Sequence, residues 1–566
     1  MIRKAFQFLR TYFALIVVLA TFAWAGLMIA VYRNKQTPPG AIVLRIGHWQ
    51  LEASVRDAIN IMAEDYRKIH PNVYIVQDAI PESVFGQWVS TQLMGGTAPD
   101  ILQVGGGLPA NIWLSYYNRY FMPLSRDVYR PNPYNKGTGL EATQLRQTYK
   151  DGMRTAYVDE MQEYISIPLS QFGVRIFYNK DLLKKLTGLD EPPHEYRAFL
   201  EACKKIGSQT NTAGQFYTPI AGSAYHFSMW EPMMFDPMTY GVIRRADFNR
   251  DAFVGNDEMY VAFKTGRVDF NFPPIAAKFR MMREITDQFQ AGYTGLTRDE
   301  AVFLFAQQKA VFMTTGTWDA RSLQQQAEGQ FEVGVMDFPL PTKDDPYYGK
   351  IVEGPVYETP GSGFRFGITR TSQHPDIALD FMLFMASQAS NEKLNRIIGW
   401  IPCIIGTKMD PFLEAFAPHL QGVYGAVNLW LGGETATKWV QMSSLYQVNQ
   451  ISYEDMAKEF QPFYIKQGMK DFQEQQRDWR RGMVQNERFL SSIRARALMA
   501  QGDESTSAWV KYRALTTARQ VWSELTHSRQ IKLIEKGPDL TAVGPYEYSP
   551  EVMEKIRARI KGEKKE

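Results

Sequence analysis

"ILQVGGGLPA", residues 101–110, carries a glycine pattern that could cradle a phosphate: G-x-G-x-x-A directly after an apolar run. Asp127 lies about twenty residues beyond, where a dinucleotide fold places its ribose-binding acid. Such a site needs that turn on the first strand of its domain, opening a helix whose N-terminus faces the pyrophosphate. Here earlier strand-like runs precede it, Pro109 stands where the helix would begin, and Pro123 spoils a strand leading to Asp127. The glycines are instead expected to let backbone approach a ligand or to make a turn. No G-x-S-x-G is present, and "GSGFRFG" (361–367) lacks the Lys-Ser/Thr pair of a phosphate loop. Seven scattered histidines show no H-E-x-x-H spacing. Cys203 and Cys403 form no metal cluster or disulfide framework and are expected as buried free thiols. Carboxylates are abundant, but spacing singles out no pair. The expectation is a protein with no catalytic residues, no metal site and no cofactor.

The polar balance narrows the partners. Residues 36–460 hold 38 Lys and Arg against 46 Asp and Glu, a poor composition for binding nucleic acid. Residues 1–35 carry five basic residues and no acid, and residues 461–566 hold 20 basic against 14 acidic. Residues 13–32, "FALIVVLATFAWAGLMIAVY", are 20 residues without a charge. A helix of that length spans about 30 Å, the thickness of a bilayer core. Arg3, Lys4 and Arg10 precede it, which keeps the N-terminus cytoplasmic and exports the body to the periplasm or cell exterior. Ala23-Trp24-Ala25 offers a cleavage site, but the apolar run continues past it, so a retained transmembrane anchor is expected.

The elements that must position any site follow from periodicity. "LRIGHW" (44–49) and "NVYIVQ" (72–77) read as strands. Between them Val55, Ile59, Met62, Tyr66 and Ile69 recur at helical spacing before Pro71. That is a βαβ unit, which demands a parallel pair, and "PDILQV" (99–104) adds a third strand. "EYISIPLSQFGVRIFYN" (163–179) is a long β-run in which Pro168 should turn the chain or change sheet. "KAVFMTTGTW" (309–318), "FEVGVMDFPLP" (331–341) and "GFRFGITR" (363–370) are further strands, and Pro375 opens another helix. The fold class is α/β, with two lobes joined by several hinge crossings, an N-terminal transmembrane helix and a helical C-terminal extension. In that extension Trp509, Tyr512, Leu515, Ala518, Trp522 and Leu525 keep helical spacing, and Ser549-Pro550 should open a last helix.

Six segments in order resemble the bacterial extracellular solute-binding proteins of ABC sugar importers, the maltose-binding-protein-like family. They are "PDI" (99–101), "FMPLSRDV" (121–128), "YISIPLSQFGVRIFYNKDLLKKLTG" (164–188), "AVFMTTGTW" (310–318), "HPDIALDFMLFMAS" (374–387) and "GWIPC" (399–403). The resemblance covers roughly residues 42–460. It implies lobe I over 42–166 and 340–397, and lobe II over 167–339 and 398–460, with an anchor and linker in 1–40 and the extension in 461–566. The chain departs from the family's pattern at Pro192-Pro193-His194-Glu195, where Thr-Trp usually stands, and in lacking a lipobox cysteine.

A sugar cleft needs aromatic faces for ring edges and polar groups for hydroxyls, which are costly to bury unpaired. The resemblance makes Trp318, at a strand end after Gly316, the stacking tryptophan. Trp49, Trp230 and Trp400, with Gln171 and Phe172 just after the expected hinge, are further candidates for ligand contact. Gly105, Gly106, Gly361 and Ser362 are candidates for close backbone approach, and His48 is expected to be structural. The implied function is capture of a sugar or oligosaccharide by hinge closure and its delivery to ABC transporter permease subunits. An exported carbohydrate-active enzyme with an unrecognised carboxylate pair, and a ligand-sensing subunit for a membrane receptor, are the alternatives.

Overall fold

The computed structural model describes residues 20–26, 28, 38, 40–105, 113–159, 161–359, 361–423, 428–518 and 524–538. Most of the apolar run 13–32, Gly106, Trp522 and the helix expected at Ser549-Pro550 lie outside them. Among the described residues no helix is long and apolar enough to cross a membrane.

The first lobe is built on β1 (Ile42–His48), β2 (Val73–Ala79) and β3 (Ile101–Val104), which pair in parallel with β1 in the middle. The crossover helix Ala53–Ile69 buries Val55, Ala58, Ile59, Met62 and Tyr66 on one face, and Ile69 is left exposed. Helix Glu82–Gly95 ends at Gly96 in the left-handed region, φ 68°, where a side chain would be strained. A short pair, β4 (Tyr157–Val158) and β5 (Glu163–Tyr164), leads into β6 (Ile167–Phe172). Lobe II then begins with β7 (Val174–Asn179), followed by β8 (Thr218–Ala221), β9 (Ala310–Gly316) and β10 (Val333–Met336). The chain returns through β11 (Gly361–Ile368). The two main sheets have the orders β2-β1-β3-β11-β6 and β10-β7-β9-β8.

The module that opens lobe II shows why these elements form where they do. Asn179 Oδ1 accepts the backbone N–H of Leu182 at 2.9 Å and caps helix Lys180–Thr187, which Gly188 closes in the left-handed region. Glu195 caps helix Tyr196–Gly207 in the same way through Ala198. That helix buries Tyr196, Phe199, Cys203 and Ile206 in the lobe II core. Both cysteines are buried free thiols.

Four boundaries differ from the sequence expectation. The first crossing falls at Gly173 rather than before residue 167, because β6 pairs with β11 in the first sheet and β7 belongs to the second. Pro168 does not turn the chain. It sits inside β6, an edge strand of its sheet, where a missing N–H is tolerated. Phe338, Tyr348 and Val352 pack into lobe II, so the second crossing comes after them rather than at 340. Trp400, Cys403 and Ile404 still pack in lobe I, while Leu413 and Phe416 pack against the second sheet, which moves the third crossing beyond 404. The long helix Tyr453–Met499 runs through residue 460, and Met456, Phe460, Tyr464 and Phe472 are lobe II core.

Arg175, wholly buried at the start of β7, touches all three crossings. It pairs with Asp337 at 2.6 Å and Glu358 at 3.0 Å, and donates to the carbonyls of Ala415 at 3.0 Å and Ala417 at 2.7 Å. Replacing Arg175 with Ala strands the Glu358 carboxylate and should lower the unfolding free energy by about 3–5 kcal/mol, read from the urea midpoint. A loss below about 1 kcal/mol, the scale of an exposed ion pair, would show that the cluster does not hold the crossings.

Candidate ligand cleft

Open α/β sheets present their ligand-binding loops beyond the carboxyl ends of parallel strands. Trp49 and Gly105 directly follow β1 and β3 there. The Trp49 backbone N–H donates to Gln103 Oε1 at 3.2 Å, and its part-exposed indole meets Phe85 edge-on with ring centres 5.1 Å apart. Gly105 has φ 132°, and a methyl there would lie 3.7 Å from both the Trp49 ring and the Arg365 guanidinium. Arg365, on β11, donates to the Thr155 carbonyl at 2.6 Å. Beside them His48 is fully buried, with Nε2 2.9 Å from Gln77 Oε1, and burial lowers its pKa, in keeping with a structural role.

Lobe II supplies the opposing wall. Trp318 is the second residue of helix Thr317–Ala327 and is part-exposed. Its indole folds back over Gly316, where a methyl would come within 2.3 Å of the ring, so glycine permits this placement. Asp319 accepts from Arg298 at 2.5 Å on one oxygen and from Thr315 Oγ1 at 2.5 Å on the other. Both of its oxygens are thus engaged by donors of lobe II itself. Tyr225 lies beside Trp318 and Arg298, and burial pushes its hydroxyl up to about 12. Arg298 also interacts with Glu52 and Tyr225 with Glu82, so this wall faces the loop after β1 and helix Glu82–Gly95.

Where the lobes meet, Phe172 joins the two walls. Its ring packs edge-on against Trp318, 5.7 Å between centres, and against Trp400 at 5.0 Å, which in turn meets Phe364 at 5.1 Å. Gly363 makes room for it, since a methyl there would sit 2.4 Å from the Phe172 ring. Gln171 is buried; its backbone N–H donates to the Ile401 carbonyl at 2.7 Å and it pairs with Ser362, while Gly361 pairs with Phe172. Thr155 Oγ1 donates to the Ser362 carbonyl at 2.9 Å.

The structure therefore places Trp49 and Gly105 beyond the parallel strands of lobe I, joins Phe172 to Trp318 and Trp400, and sets Gln171, Gly361 and Ser362 in the β6–β11 pairing beside them. Trp230 is elsewhere. It has no exposed surface and packs in the lobe II core against Phe338, 5.2 Å between ring centres, so it has no face for a ligand. The residue of that segment that lies beside Trp318 is Tyr225, five positions earlier. Arg298, Asp319 and Arg365 also escaped the sequence reading. Only Asp319 had a signal, its position next to Trp318. Among the described residues no three His, Cys, Asp or Glu side chains are grouped as metal ligands.

Two α/β lobes with paired aromatic and polar walls, joined through three crossings, define a two-lobed ligand-binding protein. The model of the bacterial extracellular solute-binding protein family matches residues 52–392, and the chain belongs to that family. The multiple sugar-binding protein of Streptococcus mutans serotype c is 20% identical over 391 residues, covering 68% of this chain and 81% of its own length. A chitin oligosaccharide binding protein superposes with a TM-score of 0.51 and 15% identity, over 76% of this chain and 99% of that one. The solute-binding protein RafE in complex with raffinose also gives 0.51, with 16% identity over 76% of this chain and all of that one.

His226, next to Tyr225, gives the lobe II wall a pH dependence. Its Nδ1 accepts the Ser223 backbone N–H at 3.1 Å, which requires a neutral ring, and burial, with help from Arg298, pushes its pKa down to about 4. Because the folded value lies below the ordinary 6.5, the stabilisation is complete above pH 6.5 and is lost as pH falls toward 4. The stability difference between wild type and His226→Gln should shrink across that window by up to roughly 1.4 kcal/mol per pH unit. A difference that stays constant with pH would refute this.

Proposed function

We propose that this protein captures a saccharide between its lobes and delivers it to an ABC importer. The observation that carries the reading is one part-exposed tryptophan on each wall, Trp49 and Trp318, beside fixed polar groups on Asp319, Arg298 and Arg365. Flat indole faces cover the apolar side of a pyranose ring, and charged or polar groups meet its hydroxyls, which otherwise pay for desolvation. Closure about the crossings brings both walls onto the ligand, so binding and lobe angle are coupled. The sugar-binding names of the Streptococcus relative and of the structural neighbours support the ligand class.

Residues 40–566 should bind a neutral oligosaccharide such as raffinose or a chitin oligosaccharide in calorimetry and release it unchanged. Trp318→Ala removes a stacking face worth about 1–3 kcal/mol, so affinity should fall roughly tenfold to a hundredfold with little change in ligand-free melting temperature. A large loss of stability at unchanged affinity would make Trp318 a packing residue. Product formation on long incubation would favour an exported carbohydrate-active enzyme.

The same reading places the body in the periplasm or at the cell exterior, held to the cytoplasmic membrane by residues 13–32. Phe22 and Trp24, in a helical stretch, are largely exposed, as membrane-facing side chains would be. Protease added to spheroplasts should digest the body, and a fully protected body would exclude the arrangement.

A further inference from the structure

Among the described residues, the extension is rooted in lobe II by its first and last helices. Its first helix, Tyr453–Met499, enters from the lobe core, where the Tyr260 hydroxyl donates to the Ile465 carbonyl at 3.0 Å. Gly468 lets it pass against Tyr260, since a methyl there would sit 2.4 Å from that ring. The last described helix, Thr526–Lys536, returns to the same core through Ile534, and its His527 stacks on Trp479 with ring centres 3.7 Å apart. A 47-residue helix is about 70 Å long, more than one lobe can underlie.

Its far end reaches lobe I. Helix Gly502–Ala518 folds back on the long helix, burying Leu490, Ile493 and Leu515 between them, and Ser505 Oγ donates to the Ala497 carbonyl at 3.0 Å. From this hairpin Lys511 pairs with Glu163 on β5. Only 5% of the Glu163 side chain is exposed. One carboxylate oxygen accepts the Ser125 N–H at 2.9 Å, which leaves the other for Lys511. A carboxylate that deep needs a cation, and Lys511 comes from an element whose root is in the other lobe. Arg370 of lobe I interacts electrostatically with Glu163 and with Arg496 of the hairpin.

We propose that helices Tyr453–Met499 and Gly502–Ala518 form a strap between the lobes, latched to lobe I by Lys511 on Glu163, that restricts the range of lobe angles. The strap lies beyond residues 52–392, which the family model matches, and adds a fourth connection to the three crossings. Hinge motion has to carry the latch along, bend the hairpin or break the ion pair.

The test uses the full chain and two spin-label pairs, read by double electron–electron resonance without ligand. Gln147→Cys with Ser507→Cys reports whether the hairpin sits on lobe I, and Gln87→Cys with Asp299→Cys reports the lobe separation. The native Cys203 and Cys403 are buried, and burial raises both thiols' pKa, so they stay unlabelled. In Lys511→Glu, and more weakly in Lys511→Gln, the first distance should lengthen beyond the wild-type distribution and the second should broaden. Lys511→Arg should leave both as in wild type. A hairpin that stays docked in Lys511→Glu, or one that leaves while the lobe distribution remains superimposable on wild type, would overturn the proposal. Neither outcome depends on which solute the cleft binds.

Discussion

A guanidinium with no exposed surface sits where the three hinge crossings converge. Arg175 follows Gly173 by two residues, and its partners are Asp337 directly after β10 of lobe II, Glu358 from the second crossing, and Ala415 and Ala417 from the third. Burial raises the pKa of Glu358, and the adjacent guanidinium opposes that rise. His419 closes the group at 3.2 Å from Asp337. Removing a charge of this kind leaves an uncompensated partner, so the three crossings are energetically one unit. Both walls of the cleft are positioned by what this unit holds.

The aromatic seam is the second layer of the same constraint. Phe172 ends the strand that enters the hinge, and its ring meets Trp318 of one lobe and Trp400 of the other. The rings reach each other because Gly316 and Gly363 offer backbone with no side chain in the way. A change of lobe angle therefore alters the packing of Phe172 against Trp318, beside the polar group of Asp319, Arg298 and Tyr225. The proposed ligand wall and the hinge share side chains.

Much of this was legible in the amino-acid order, and the failures have physical causes. Periodicity identified the helix 53–69 face because burial there follows 3.6-residue spacing, and the strand, glycine and helix start around Trp318 lie in the expected order. Trp230 misled because it precedes a π-helical turn, Glu231–Phe235, and a 3-10 stretch, Asp236–Val242, where no regular period tells which side chain faces inward. Pro168 misled because its tolerance depends on β6 being an edge strand, a property of strand order. Arg365 gave no signal because its neighbours, Gly105 and Thr155, are far from it in sequence. The extension looked separate because its composition changes near residue 460, whereas its burial in lobe II begins one turn into the helix at Met456.

A cleft whose tryptophans come from different lobes makes full contact only over a narrow range of lobe angles. A solute shifts the lobes toward that range only by the difference between its affinities for the closed and open forms. Whatever narrows the free protein's range of angles moves part of the ordering cost from binding into folding. The Arg175 cluster narrows it near the pivot, where a small rotation produces a large movement at the rim. Under the proposed strap, the Lys511–Glu163 pair adds a second constraint on the same angles, running from an element rooted in lobe II to a buried carboxylate of lobe I. A constraint carried by an added connection can change the range of angles without altering the crossings themselves, which is a physical reason for an extension to contact both lobes rather than end on one.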